Sequence, residues 1–138
     1  VSHYYLDASA VVKRYRPEPG SAWIETLTAS MAGHTIILSE ITLVEVAAAL
    51  SARHRAPDGI TRKERDDALA LFLSHCRMDY ELIAVSRSII DRAVTLTQNH
   101  KLRGYGAMQL AAALAVNEAL IAANLSHLTF VAADDDFQ

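Results

Sequence analysis

The chain has 138 residues, which suits one domain built on a single core. Hydrophobic residues at 51% and charged residues at 21% exclude a disordered tail, and a net charge of −3 gives no bulk support for nucleic-acid binding while leaving room for a local basic patch. Cys76 is the single cysteine, which excludes an internal disulfide and a thiolate metal cage, and no run approaches the ~18 apolar residues of a membrane span.

In chain order, residues 3–6 predict a buried strand that ends abruptly at Asp7, and residues 8–15 predict a short helix halted by Pro17 and Pro19. Gly20 and Ser21 open a second helix with Trp23, Ile24, Leu27 and Met31 at helical spacing, closed by Gly33. Thr35–Leu38 predicts a second buried strand. Ser39 can cap a third helix whose apolar face carries Ile41, Val44, Ala48 and Leu50. After a loop at 56–59, Thr61 and Glu64 have the spacing of a capping box, and the helix they start carries Leu69, Phe72, Leu73 and Cys76. Residues 80–85 predict a third strand, and Ser86 can cap a fifth helix with Ile89, Ile90, Ala93, Val94 and Leu96. A long Ala-rich helix runs from about Tyr105 to Ala123, apolar nearly all round and therefore expected at the middle of the domain. Residues 129–132 predict the last strand. No repeat or linker interrupts the chain, so residues 1–138 are expected to form one domain. Strands that alternate with helices throughout predict an α/β fold with a parallel sheet covered on both faces.

Acids follow the strands. Asp7 ends the first, Asp134 follows the last, and Glu45 lies one turn into the helix after the second, between Val44 and Val46. Asp7 has two readings: a helix cap, or a ligand-holding residue at the edge of the sheet where open parallel sheets bind. All parallel strands end on one edge, so the three acids can converge there. Converging carboxylates raise one another's pKa unless a cation lies between them. Oxygen donors without Cys or clustered His favour Mg²⁺ or Mn²⁺, ions suited to phosphoryl transfer. The six histidines show no ligand spacing, and no phosphate-loop, dinucleotide or nucleophile-elbow motif is present. A receiver-like phosphoacceptor domain would need a Lys after a late strand, which is missing.

Taken together, Tyr5-Leu6-Asp7-Ala8-Ser9 through Tyr15 with Pro17-Glu18-Pro19-Gly20-Ser21, Ser39 through Glu45, Leu102-Arg103-Gly104-Tyr105 with Gln109 through Leu114, and Phe130 through Asp134 with Phe137 resemble, in order, the motifs of PIN-domain toxins of the VapC type. The resemblance implies a three-layer α/β/α PIN-like domain with a central parallel sheet of four or five strands. It also implies a metal-dependent endoribonuclease, neutralised by a cognate VapB-type antitoxin and acting on RNA as a homodimer. The family's acids map onto Asp7, Glu45 and Asp134 as Mg²⁺ or Mn²⁺ ligands; Ser9 matches the hydroxyl residue supporting the first acid, and Asp136 an occasional additional acid. Lys13, Arg14 and Arg103 are candidates for phosphate contacts. The partner surface is expected around Trp23 and Leu69–Phe72.

One position departs from the pattern. Where the family has an acid after Arg-Gly-Tyr, this chain has Gly106. Gly106 is either native, giving a degenerate nuclease, or an inactivating change that allowed a toxic protein to be produced, since Asp and Gly codons differ by one base. Either way it is expected to impair catalysis. The rival from another class is a catalytically inactive PIN-like module that binds RNA or protein through the same groove. With no basic region and apolar core at the start, the expectation is no export signal, no membrane and a cytoplasmic location.

Overall fold

The structure is a computed structural model and describes residues 2–133. Four parallel strands form its sheet: β1 (His3–Leu6), β2 (Thr35–Ser39), β3 (Glu81–Ile83) and β4 (Thr129–Val131), in the order β3-β2-β1-β4. Six α-helices connect them: α1 (Ala8–Val11), α2 (Ser21–Thr28), α3 (Ile41–Arg55), α4 (Arg62–Met78), α5 (Arg87–Asn99) and α6 (Gly104–Ala122). A 3-10 turn, Val12–Arg14, continues α1, and a second, Ser30–Ala32, follows α2.

The period of two in a strand divides the core into two layers. Leu6, Ile36 and Leu38 face one side and pack with Val11, Ile24, Val46, Leu50 and Phe72 from α1 to α4. Tyr5 and Ile37 face the other side, against Ile89 and Ala93 of α5 and Ala107 and Ala111–Ala113 of α6. The result is the three-layer α/β/α arrangement expected from the alternation of elements. α4 starts with the expected capping box: Thr61 Oγ1 accepts from the Glu64 N–H, and Glu64 accepts from the Thr61 N–H. Ser86 caps α5 by accepting from the Ile89 N–H at 3.3 Å.

Several helix faces differ from the expected ones. On α3 the buried positions are Thr42, Val46 and Leu50, while Val44 and Ala48 face solvent. The inward stripe advances by four residues and starts on a threonine, so counting apolar residues alone picks the wrong face. Met31 lies beyond the end of α2, in the following turn, and is fully exposed. Phe72 is fully buried, so the exposed apolar side chain near it on α4 is its neighbour Leu71. α6 is long and apolar enough to suit a membrane by length and composition, but its Ala107 and Ala111–Ala113 face packs into the domain core. The other side of α6 is only partly covered, because among the described residues α5 is the one helix packed beside it in this layer.

Candidate active site

Asp7 follows β1 at the carboxyl edge of the sheet and is almost completely buried. Its Oδ1 accepts from the Ala10 N–H at 3.0 Å, capping α1, and from the Ser9 hydroxyl at 2.7 Å. Capping and site placement are therefore two uses of one carboxylate: the hydrogen bonds that start the helix also fix its orientation. Ser9 Oγ in turn accepts from the Ala133 N–H at 3.0 Å. This bond ties the end of β4 to the Asp7 carboxylate across the sheet edge. Asp134 is the next residue; it and Asp136 lie outside the described residues.

Glu45 reaches the same edge from α3. Its Oε1 accepts from Gln109 Nε2 at 2.9 Å. Burial pushes the Glu45 carboxyl up, the Gln109 hydrogen bond opposes this, and the negative charge of Asp7 adds to the rise. The two acids thus feel each other, as carboxylates around a cation site should. Among the described residues no group of three or more potential ligands comes together. Asp7 and Glu45 supply hard oxygen donors under mutual repulsion, a donor set that fits Mg²⁺ or Mn²⁺ and that a divalent cation would relieve.

Gln109, part of the third motif but given no role from the sequence, is the residue that links Glu45 to the core. It is buried in α6 and uses its whole side chain: Nε2 also donates to Thr42 Oγ1 at 2.9 Å, and Oε1 accepts from the Tyr5 hydroxyl at 2.5 Å. Burial pushes the Tyr5 hydroxyl pKa far up, so it stays protonated and donates its proton to Gln109; hydrogen bonding to Ser39 offsets part of the rise, and the charges of Asp7 and Glu45 add to it. Tyr5 therefore fixes which way the Gln109 amide points and aims its N–H groups at Thr42 and Glu45. A signal existed: Gln109 is the lone polar residue in the apolar stretch 107–116, and a buried amide must find partners.

Gly106 is the third residue of α6 and half-buried. It precedes Gln109 by three positions, so both lie on one face of the helix. The three candidate cations separate. Lys13 lines a cavity of about 360 Å³ together with Ser9, Glu45, Ala49 and Ala133. Arg14 donates to the Tyr80 hydroxyl at 2.8 Å, and Tyr80 bonds Tyr15, so Arg14 belongs to a buried aromatic cluster and does not line that cavity. Arg103 is the N-cap residue of α6 and lines an apolar groove between α5 and α6 with Ile90, Val94, Tyr105 and Met108.

A pH test follows from the Glu45 environment. A carboxyl whose folded pKa lies above its unfolded value favours the fold below the unfolded pKa, and that contribution is lost as pH rises through the folded pKa. Without metal, Glu45→Gln is therefore expected to melt above the parent at pH 7. The gap should close as pH falls below about 4.3, the unperturbed Glu value. Melting curves from pH 4 to 8 in a chelator measure it; a gap independent of pH would mean that burial and Asp7 do not act on Glu45.

A family model described as PIN domain matches residues 4–138. No curated protein sequence matches at a significant level. Among solved structures, the chain is similar to VapC20 of Mycobacterium tuberculosis, described as a sarcin-ricin loop cleaving toxin, with a TM-score of 0.65 at 17% identity, covering 97% of this chain and 92% of that one. It is also similar to VapBC2 of Rickettsia felis, solved with a DNA fragment from its promoter, with a TM-score of 0.61 at 18% identity, covering 96% and 99%. A toxin–antitoxin complex from Klebsiella pneumoniae aligns with a TM-score of 0.56 at 18% identity, covering 97% and 89%. At these identities the structural likeness speaks for the fold.

Proposed function

As the chain belongs to the PIN-domain family, we propose that it is a metal-dependent endoribonuclease toxin, neutralised by a cognate VapB-type antitoxin and impaired here by Gly106. The observation that carries this reading is the pair of carboxylates at the carboxyl edge of the sheet, buried Asp7 and half-buried Glu45, the charge of the first raising the pKa of the second, with the chain after β4 tied to the same spot through Ser9. Asp134 would join them as the third ligand. Asp7, Glu45 and Asp134 would hold Mg²⁺ or Mn²⁺, which when bound supplies charge neutralisation on the phosphodiester and an activated water.

The chain's own residues do the rest. Ser9 and the Ala10 N–H hold Asp7 in one orientation, and Gln109 holds Glu45. Such preorganisation matters because groups already aimed at developing charge need not reorganise during the reaction. Lys13 lies in the cavity next to Glu45 and can approach a backbone phosphate. Exposed Trp23, Leu71 and Met78, with the apolar groove between α5 and α6, support protein partners: the antitoxin and a second copy of the chain. Light scattering of the isolated chain at micromolar concentration should give a dimer mass; a monomer would remove the homodimer from this reading. Cytoplasmic action on cellular RNA fits these partners.

The direct test is cleavage of a mixed single-stranded RNA by the Gly106→Asp variant with Mg²⁺ or Mn²⁺, against the same reaction in chelator. An absence of cleavage, with RNA binding retained, would favour the inactive binding module. Metal occupancy has its own readout. Millimolar Mn²⁺ is expected to raise the melting temperature by mass action, by about 2.7 kcal/mol of stabilisation at a hundred times Kd. The shift should be larger in Gly106→Asp. A melting temperature unmoved in both proteins would remove metal binding from this reading.

A further inference from the structure

The cavity that Glu45 and Ser9 line has a second half, and it is basic. Lys13 and Arg16 line it, and between them lies Glu18. Both cations are engaged by that one carboxylate. Lys13 Nζ donates to Glu18 Oε1 at 2.8 Å and to the Pro19 carbonyl at 2.8 Å. Arg16 Nε donates to Glu18 Oε2 at 2.8 Å, and its Nη2 donates to the same oxygen. Pro17 and Pro19 restrict the backbone on either side of Glu18. The Glu18 N–H donates to Ser21 Oγ at 2.9 Å, and the Ser21 hydroxyl donates back to the Arg16 carbonyl at 3.3 Å. The three charged side chains are mostly covered, with relative exposures of 17% for Lys13, 27% for Arg16 and 18% for Glu18. This is a built cluster and not a chance surface pair.

An RNA strand approaching the acids meets repulsion from Asp7 and Glu45. Cations in the same cavity offset it, but Glu18 pairs with both Lys13 and Arg16 and cancels half of their charge. A phosphate presents a guanidinium with the same kind of anionic oxygens as a carboxylate, at similar distances. Exchanging one for the other leaves neither cation bare. We propose that Lys13 and Arg16 form a phosphodiester subsite beside the acid cluster, and that Glu18 is its resident competitor, displaced by a backbone phosphate of single-stranded RNA. The subsite rests on the nuclease reading and names where the substrate backbone is held. Glu18 gives the site a threshold: a phosphate must outcompete a carboxylate already in place, so affinity at this position stays low until the strand is anchored elsewhere. Arg16, absent from the sequence-based candidates, becomes a substrate-binding residue, and Arg14 drops out of that role.

Binding can be read without cleavage, by fluorescence anisotropy of a labelled single-stranded RNA in chelator, with the chain as given and its Arg16→Gln, Glu18→Gln and doubly substituted variants. Glu18→Gln is expected to tighten binding by about threefold or more, within the range a partly exposed ion pair supports. Arg16→Gln is expected to weaken binding, and to weaken it more in the Glu18→Gln background than in the parent, because there Arg16 binds phosphate without first exchanging a carboxylate. The salt slope of log K should fall by about 0.7 for the lost phosphate contact. Equal losses from Arg16→Gln in both backgrounds would overturn the competition, since independent sites add. Weaker binding by Glu18→Gln, or no RNA binding by any variant, would also overturn it. Cleavage by Gly106→Asp, measured separately, decides the nuclease reading, so the two can fail independently. Should Arg16→Gln fold poorly by circular dichroism, Arg16→Lys keeps the charge without the fork and is expected to bind between parent and Arg16→Gln; parent-like binding would overturn the role of the fork.

Discussion

Replacing Gly106 by Asp is expected to raise RNA cleavage by about 10²-fold or more in the presence of Mg²⁺ or Mn²⁺, the scale of several kcal/mol in transition-state stabilisation. The position favours an acid on three grounds. It is the third residue of α6, within the first turn, where the helix dipole and unpaired N–H groups favour negative charge. It lies one turn before Gln109, whose amide touches Glu45, so a side chain there rises from the face of α6 turned toward the acids. Glycine in a helix is also less favourable than most residues by roughly 0.5–1 kcal/mol, so the backbone has nothing to lose. Without metal the added carboxylate increases repulsion with Glu45 and Asp7, offsetting part of that gain. The variant should therefore melt near the parent in chelator and above it with Mn²⁺. Gly106→Asn keeps the shape without the charge and should cleave no faster than the parent. Cleavage by the parent as fast as by Gly106→Asp would mean that an acid at this position is dispensable, and the account of the site would be wrong.

Gln109→Leu is expected to cost about 2–4 kcal/mol of stability, a large share of the 5–15 kcal/mol typical of a domain. Leucine fits the volume, so the loss is one of hydrogen bonds. The Tyr5 hydroxyl, in the core, loses its acceptor, and Thr42 and Glu45 lose a donor. Each buried polar group left unpaired costs roughly 1–3 kcal/mol, whereas removing both partners of a bond costs much less. Adding Tyr5→Phe to Gln109→Leu should thus recover part of the loss, so that the double variant is more stable than the sum of the single changes predicts. Urea unfolding of the four proteins measures this through the midpoint at constant slope. Strict additivity would mean that Tyr5 and Gln109 are not coupled. A second readout separates structure from site: Gln109→Leu should also reduce the Mn²⁺-induced rise in melting temperature, since nothing then fixes the Glu45 carboxylate, while a core change such as Leu50→Ala should leave that rise intact.

What the sequence by itself determined is what depends on neighbours within a few positions. The buried runs at Tyr4–Leu6 and Thr35–Leu38, the Thr61 and Glu64 capping box and the Ser86 cap are all visible as local patterns, and each is present in the structure. Alternation of strand and helix sufficed for the parallel three-layer fold, because a parallel pair requires a crossover. The edge position of Asp7 was legible for the same reason: every parallel strand ends on one edge, so position along the chain already implies position in space. Only the tertiary structure decided which side chains meet across that edge. Tyr5 and Gln109 are 104 residues apart, Gln109 and Glu45 are 64 apart, and Ser9 and Ala133 are 124 apart. No local pattern encodes those bonds. They also explain the helix faces that apolar counting missed: Thr42 is buried on α3 because Gln109 satisfies its hydroxyl, while Val44 is left to solvent. Likewise Arg14 and Arg16 look alike as cations two residues apart, yet the turn after α1 sends Arg14 to Tyr80 and Arg16 to Glu18 at the cavity. Burial of a polar group becomes favourable only when a partner from a distant element arrives to pair with it, and that arrival is a property of the packed fold.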